Sequence, residues 1–445
     1  MNTAELFNTI ENCFGCTACQ NICPKNAIKM VADKEGFLYP EINQYCIDCK
    51  MCINVCPNKK YEKTEEIPNG NGIVLINLQI TDNFGANLLA YAMEKVIGSI
   101  TVDREIITVN AATHSKKLSL EEKMNQKFDF LMQKIKKYKL KTLPMFLINK
   151  KRDKYQAEIN AKKKPVFEQF RKKYLNLSDL YFDANEIKQL PIDTIIVGSD
   201  IVWQPDRIKA GADVFLASGF GKAYKKIAYA ASLSTNKEDE LLPYKEIYRK
   251  GLNNLDYISI READNKKFLS ALTEKGINIC CDPVFLLSVD EWKNMAKTPA
   301  IQDDYIFVYL LNKCSSGVKA AKKLAREKNL KIVFCSDENI KFFSDSINCT
   351  ACSPDEFVGY IHNAQYVITN SFHAIVYSII FQKQFKAYFR QEQNFKLTSL
   401  LDRLNLQDRY NADKSIEDKI DYLSVSEILE NEKAKSLEYL KNTLS

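Results

Sequence analysis

Long hydrophobic runs are missing. The longest uncharged apolar stretch, Ala374 to Phe381, falls far short of the ~20 residues that cross a bilayer, so no transmembrane segment is expected. Met1 to Ile10 carries Glu5 and has neither a basic stretch nor an apolar core, which argues against a secretion or import signal and predicts a cytoplasmic protein. Glycine (14) and proline (12) are scarce among 445 residues, which excludes collagen-like and low-complexity architectures. No Gly-x-Gly-x-x-Gly fingerprint follows residue 72, so a self-contained flavin or nicotinamide enzyme is disfavoured. The excess of cations over acids is only seven, too small by itself to call for a nucleic-acid partner. With only three histidines, few imidazoles are available for proton transfer.

What is present is a chain about three times the ~150-residue length expected of one domain, hence two or three folding units. At 46% hydrophobic and 27% charged it has the composition of ordinary soluble domains. Its fourteen cysteines are unevenly placed, with eight in the first 56 residues. They form two copies of one pattern, Cys13-x2-Cys16-x2-Cys19-x3-Cys23-Pro24 and Cys46-x2-Cys49-x2-Cys52-x3-Cys56-Pro57. Short two-residue gaps let one looped backbone present three soft thiolates to a single cube of iron and sulfide. A disulfide framework would need an oxidising compartment, and zinc sites seldom use this triple spacing with proline.

Residues 8 to 60 thus resemble the two-cluster bacterial ferredoxins. In that arrangement the fourth cysteine of each run ligates the other run's cluster. The resemblance implies two [4Fe–4S] clusters, one on Cys13, Cys16, Cys19 and Cys56, the other on Cys46, Cys49, Cys52 and Cys23. Of the remaining cysteines, Cys280, Cys281, Cys314 and Cys335 are expected to be buried and inert. Cys349-Thr-Ala-Cys352 is a lone C-x2-C, weak evidence for metal or redox work without a second pair.

After a polar stretch ending in Pro68-Asn69-Gly70-Asn71-Gly72 the pattern becomes alternating α/β. An apolar strand, Ile73 to Ile80, leads through a loop at 81–86 into a helix over 87–97. Strands follow at 104–109, 193–198, 226–231 and 257–260. A second series begins at Tyr305 and runs through strands at 331–335, 366–369 and 385–389 with helices between them. Alternation of this kind builds parallel sheets whose ligands bind at the carboxyl ends of the strands. The expected organisation is a small α+β ferredoxin-type domain at 1–62 and a linker at 63–72. An N-terminal Rossmann-like lobe at 73–300 and a C-terminal one at 301–410 follow, then a helical tail at 411–445. Lysine-rich sequence from Lys116 to Lys173, including Lys134, Lys136, Lys150, Lys151 and Lys162 to Lys164, reads as a solvated helical insert at about 112–185.

Five segments sit where a strand gives way to a loop or helix: Asp82-Asn83-Phe84-Gly85-Ala86-Asn87, Gly198-Ser199-Asp200-Ile201-Val202-Trp203, Ser259-Ile260-Arg261-Glu262, Cys281-Asp282-Pro283-Val284-Phe285 and Thr369-Asn370-Ser371-Phe372-His373-Ala374. In this order, and with Ser399-Leu400-Leu401-x2-Leu404-x-Leu406-x2-Arg409 closing the series, they resemble the polysaccharide pyruvyl transferase family. The resemblance implies a two-lobed, GT-B-like fold and transfer of pyruvate from phosphoenolpyruvate to a glycan or lipid-linked sugar as a ketal, as in exopolysaccharide biosynthesis. Peripheral contact with a lipid-linked acceptor is compatible with it.

That chemistry needs a guanidinium for the anionic donor and an imidazole near neutrality for the proton. Arg261 and His373 are the candidates. Asn83, Gly85 and Asn87 are placed on the acceptor side. Asp200 is a candidate for acceptor hydroxyls or proton transfer, an N-cap being the competing reading, and Ser371, which flanks the histidine, is a further substrate-binding candidate. Some relatives carry Arg-Leu where this chain has Ser371-Phe372, so a second donor-binding cation must come from downstream, and Arg390 is the choice over Lys383, Lys386 and Lys396. Trp203 reads more readily as core than as a sugar platform, and His114 and His362 as structural or surface residues. Two other readings stay open: a ferredoxin-type electron carrier or oxidoreductase whose large part docks a redox partner protein or substrate, and a catalytically silent binding protein.

Overall fold

The computed structural model describes residues 13–47, 49, 51–56, 68–78, 81–111, 143–181, 183–340, 342–390, 394–410 and 414–445. The expectations for 112–142, among them His114, lie outside the described residues. Two compact units are present, Met1–Ile67 with Gly221–Ala223, and Pro68–Phe220 with Tyr224–Ser445.

In the smaller unit, β1 (Ile28–Ala32) and β2 (Leu38–Ile42) form an antiparallel hairpin with Met30 opposite Pro40. Two five-residue helices, Ala18–Ile22 and Met51–Val55, carry Cys19 and Cys52 at equivalent places of the two cysteine runs. The apolar interior is slight: Ile28 and Cys52 are buried, with Cys19, Ile22, Cys23, Ile42 and Ile53 packed on them. So small a core does not hold a unit of this size by burial alone, whereas clusters bound by both runs would tie it together.

The larger unit contains two parallel sheets. The first has seven strands: β3 (Gly72–Ile76), β4 (Ile106–Ala111), β5 (Leu177–Tyr181), β6 (Ile192–Gly198), β7 (Lys225–Ala231), β8 (Tyr257–Ile260) and β9 (Ile277–Ile279). Their order is β5-β4-β3-β6-β7-β8-β9. The second has β10 (Tyr305–Leu310), β11 (Lys331–Ser336), β12 (Ile347–Asn348), β13 (Tyr366–Thr369) and β14 (Gln384–Ala387), in the order β12-β11-β10-β13-β14. Every residue of β3 and β10 is buried, as befits central strands covered by helices on both faces. Each sheet is doubly wound and reverses direction once, between β3 and β6 in the first and between β10 and β13 in the second. These reversals open crevices at the carboxyl ends of the strands. The molecule is thus α/β with two Rossmann-like lobes, the GT-B-like plan that the resemblance implies.

Two expectations need correction. The helix after β3 begins at Phe84, so Gly85 lies in its first turn rather than in a loop. Asn83 is its N-cap, accepting from the Ala86 N–H, and this capping starts the helix earlier than hydrophobic periodicity suggests. The basic segment is helical over Leu143–Tyr174 but not simply solvated. Phe167 and Phe170 are buried, and the Lys163 ammonium sits 4.8 Å from the centre of the Phe84 ring. The C-terminal tail is helical over Tyr422–Leu444. Tyr439 donates to the Ala228 carbonyl of β7 (3.0 Å) and Ser436 accepts from the Cys281 N–H (2.9 Å), so the chain ends packed on the first lobe.

Candidate active site

The site is built where strand ends meet. Arg261 follows β8 directly and is almost wholly buried, 2% exposed. Its Nη1 donates to Asp282 Oδ2 (2.7 Å), its Nε donates to Glu262 Oε1 (2.8 Å), and its guanidinium lies 4.3 Å from the centre of the Phe372 ring. Burial works against its charge, but Glu262 and Asp282 outweigh it and hold the pKa above the ordinary arginine value. The third nitrogen, Nη2, is buried with no hydrogen-bond partner. Arg403 donates to the Arg261 carbonyl (3.0 Å) and pairs with Glu432 of the C-terminal helix (2.8 Å), which braces the backbone here.

His373 occupies the first turn of the helix Phe372–Ile380, which starts three residues after β13. Its Nε2 is 3.9 Å from the same Asp282 Oδ2 and has no hydrogen-bond partner. Burial pushes the imidazole pKa below its usual value against the pull of Asp282 and Asp200, with Arg261 and Lys396 adding to the depression. The ring is therefore neutral at pH 7 and able to accept a proton. Gly85 is what lets it sit there, because a Cβ at that position would lie 1.9 Å from His373 Nδ1. The two lobes meet at this glycine and this ring.

Asp200, just past β6, is not an N-cap: the next helix, Pro205–Phe215, is preceded by Gln204. Burial raises the pKa of Asp200, but Lys396, His373 and Arg261 more than offset this and keep it ionised. Gly198 before it has a positive φ of 122°, and a Cβ there would approach the Tyr229 carbonyl oxygen to 2.1 Å. Lys396, in the helix Phe395–Arg403, has its pKa lowered by burial, with Asp200 opposing and Arg261 reinforcing the shift. Arg390 lies nearby, donating from Nε to the Asn370 carbonyl (3.2 Å).

The remaining candidates divide. Asn87 is fully buried and its amide is engaged: Nδ2 donates to the Thr81 and Asn83 carbonyls (2.8 Å each) and Oδ1 accepts from Arg171 (3.3 Å). It braces the turn and has no polar atom left for an acceptor sugar. Ser371 is the N-cap residue of the histidine helix, although its side chain makes no capping bond. Trp203 is wholly buried, with Nε1 bonded to the Phe215 carbonyl (2.8 Å), and belongs to the core. His362 packs 4.8 Å from the Phe381 ring, with its pKa lowered by burial. Sequence reasoning did not single out Asp282, Glu262 or Lys396 as site residues. The Cys281-Asp282-Pro283 and Arg261-Glu262 segments were visible signals for the first two. A cavity of about 630 Å³ near Lys319, Lys386 and Tyr388 contains none of these residues and is separate from the site.

The family model for polysaccharide pyruvyl transferase matches residues 83–385, more than half of the chain. The chain belongs to the polysaccharide pyruvyl transferase family. Within this family member, a 4Fe-4S dicluster domain model matches residues 12–60. No curated protein matches the chain. Similar solved structures include an S. aureus MnaA–UDP co-structure at 12% identity (83% of this chain, 91% of that one, TM-score 0.41). Another is Medicago truncatula UGT71G1 complexed with UDP-glucose at 11% identity (85% and 98%, TM-score 0.37). A third is a putative UDP-N-acetylglucosamine 2-epimerase from Listeria monocytogenes at 10% identity (84% and 91%, TM-score 0.39). All three are too distant to bear on function.

In the cluster-binding unit of this pyruvyl transferase family member, the donor set is eight free cysteines. The Gly15 N–H points at Cys13 Sγ (3.5 Å) and the Ala27 N–H at Cys23 Sγ (3.2 Å). Backbone donors aimed at sulfur favour thiolates, so these residues fit iron–sulfur ligation. Among the described residues no helix is long and apolar enough to cross a membrane.

Proposed function

We propose that this protein transfers pyruvate from phosphoenolpyruvate to two hydroxyls of a glycan as a ketal, with His373 as the proton carrier. The observation that carries the reading is the convergence of Arg261 and His373 on one carboxylate oxygen of Asp282, each with a buried nitrogen left unpaired. An unpaired N–H on a doubly anchored guanidinium suits a carboxylate or phosphate oxygen. Lys396 supplies a second cation within electrostatic reach of Asp200 and Arg261. Lys396 takes this role rather than Arg390, whose Nε is engaged with the Asn370 carbonyl.

The neutral imidazole removes the proton of the first sugar hydroxyl as its oxygen adds to carbon two of the donor. The proton is then delivered to carbon three, which becomes a methyl group. The second hydroxyl displaces phosphate from carbon two, and its proton leaves with the phosphate or through the imidazole. No electron is transferred. When bound, the clusters supply one-electron chemistry, which the ketal step does not use. The dicluster match also supports a second reading, an electron-transfer protein with a redox partner, and turnover that consumes an external reductant would favour it.

The direct experiment incubates the full chain, clusters intact, with phosphoenolpyruvate and oligosaccharide acceptors and measures phosphate release and the pyruvylated product. His373→Gln is expected to lose about 10²–10⁴-fold in kcat. Because the base must be neutral and its pKa is depressed, kcat/KM should hold down to pH values below the ordinary histidine range and fall only under more acidic conditions. Phosphate release that survives in His373→Gln would remove the assigned role. Absence of phosphoenolpyruvate binding by calorimetry would remove the reaction.

A further inference from the structure

Three thiols that the sequence scatters are gathered in the second lobe. Cys335 is the fifth residue of β11, and Cys349 follows β12 directly. The two strands run parallel, with Val333 opposite Ile347 and Phe334 opposite Asn348, so the strand register brings the two cysteines level. A turn closed by the Cys352 N–H on the Cys349 carbonyl (2.9 Å) swings the third thiol back toward them. The Cys335 and Cys349 sulfurs are 3.1 Å apart, and all three lie within 4.8 Å of one another. Exposures are 0%, 6% and 8%, and none of the three is in a disulfide. The lone C-x2-C of the sequence therefore has a partner, and Cys335 is not an isolated buried thiol.

We propose that Cys335, Cys349 and Cys352 bind one thiophilic divalent cation, zinc(II) by its chemistry, at a site separate from the iron–sulfur unit. Three soft sulfurs on one side of a small volume form a donor set that selects such an ion. Zn–S bonds of about 2.3 Å at tetrahedral angles place sulfurs about 3.8 Å apart, inside the range seen here. A four-iron cube binds its cysteines through different irons and spreads them wider, so the span fits one ion.

Charge argues for a divalent ion. Three thiolates and a 2+ ion leave one negative charge, and Lys163 on the helix Leu143–Tyr174 lies within electrostatic reach of Cys335 and Cys352 to balance it. A monovalent ion would leave two negative charges buried, which is costly. On binding, three S–H bonds break, three S–Zn bonds form and three protons go to solvent, with no change of oxidation state. Among the described residues no fourth cysteine, histidine or carboxylate joins the group, so water completes the coordination.

The ion would join β11, β12 and the start of the helix Pro354–Asn363, which Ser353 caps one residue after Cys352. Phe357 of that helix stacks on Phe84 with ring centres 4.4 Å apart, and Phe84 opens the helix that carries Gly85 against His373. The site thus stiffens the floor beneath the lobe junction. The inference does not depend on pyruvyl transfer.

The test uses full-length protein isolated with its clusters intact from zinc-supplemented growth, read by elemental analysis and zinc X-ray absorption. About one zinc per chain is expected, with three sulfurs at about 2.3 Å. In the Cys349→Ser/Cys352→Ser double variant, zinc should fall roughly tenfold or more while iron is unchanged. Wild-type protein full of iron that holds no zinc, and takes up none on titration with zinc(II) alone, would overturn the proposal. So would zinc retained in the double variant, or a Cys335–Cys349 disulfide found by mass mapping. Should the double variant misfold, the wild-type coordination number still decides, since four sulfurs would assign the zinc to the N-terminal cysteines.

Discussion

Arg261 shows how one side chain can be both structural and available. Two of its nitrogens neutralise Glu262 and Asp282, both almost completely buried, and only Nη2 remains for a ligand. Removing the guanidinium strands two carboxylates in low dielectric, so Arg261→Ala should destabilise the larger unit by about 3–5 kcal/mol in chemical denaturation. Arg261→Lys should be milder, because it restores charge without the two-pronged geometry. Equal stability of Arg261→Ala and wild type would mean that the ion pairs do not hold in solution. Arg261 and His373 were legible in the sequence because each sits in a motif at a strand end. The proposal of Lys396 over Arg390 as the second cation leans on the electrostatic pull between Lys396 and Asp200, which no local sequence pattern carries. That is a matter of how the 395–403 helix lies against the first lobe.

At the scale of elements, the helix Phe84–Ile100 and the helix Phe372–Ile380 meet at their first turns with no room for a methyl group between Gly85 and the His373 ring. Gly85→Ala should displace the imidazole and lower kcat by about 10²-fold, the scale expected of an ångström-sized misplacement. Far-ultraviolet circular dichroism should stay unchanged, since alanine favours the helix. Wild-type kcat in Gly85→Ala would show that the ring has freedom this packing denies it. The alternation of strands and helices was readable because buried parallel strands are short apolar runs between turn signals. β5, β9 and β12 escaped because they are defined by pairing with neighbours rather than by their own composition. The basic helix escaped as a core element for a related reason: two buried phenylalanines are diluted by the lysines around them.

For the whole molecule, the two units differ in what holds them together. The larger has extensive apolar cores in both lobes, whereas among the described residues of the smaller one the buried apolar side chains are Ala27, Ile28, Pro40 and Cys52. Chelating the iron should therefore abolish hydrogen-exchange protection of the hairpin at residues 28–42 and leave β7 and β8 protected as before. A hairpin that stays protected without iron would show that the peptide holds itself. The sequence by itself determined the spacing of the eight N-terminal cysteines, the α/β class and the motifs that mark the family, because each is written in local repetition: thiol gaps, apolar runs, turn residues. Only tertiary structure decided that Asp282 is shared by a guanidinium and an imidazole, that Lys396 comes within electrostatic reach of Asp200 and that Cys335 joins Cys349 and Cys352. Those are relations between residues 14 to 196 positions apart, set by the winding of the two sheets, and no local pattern encodes them.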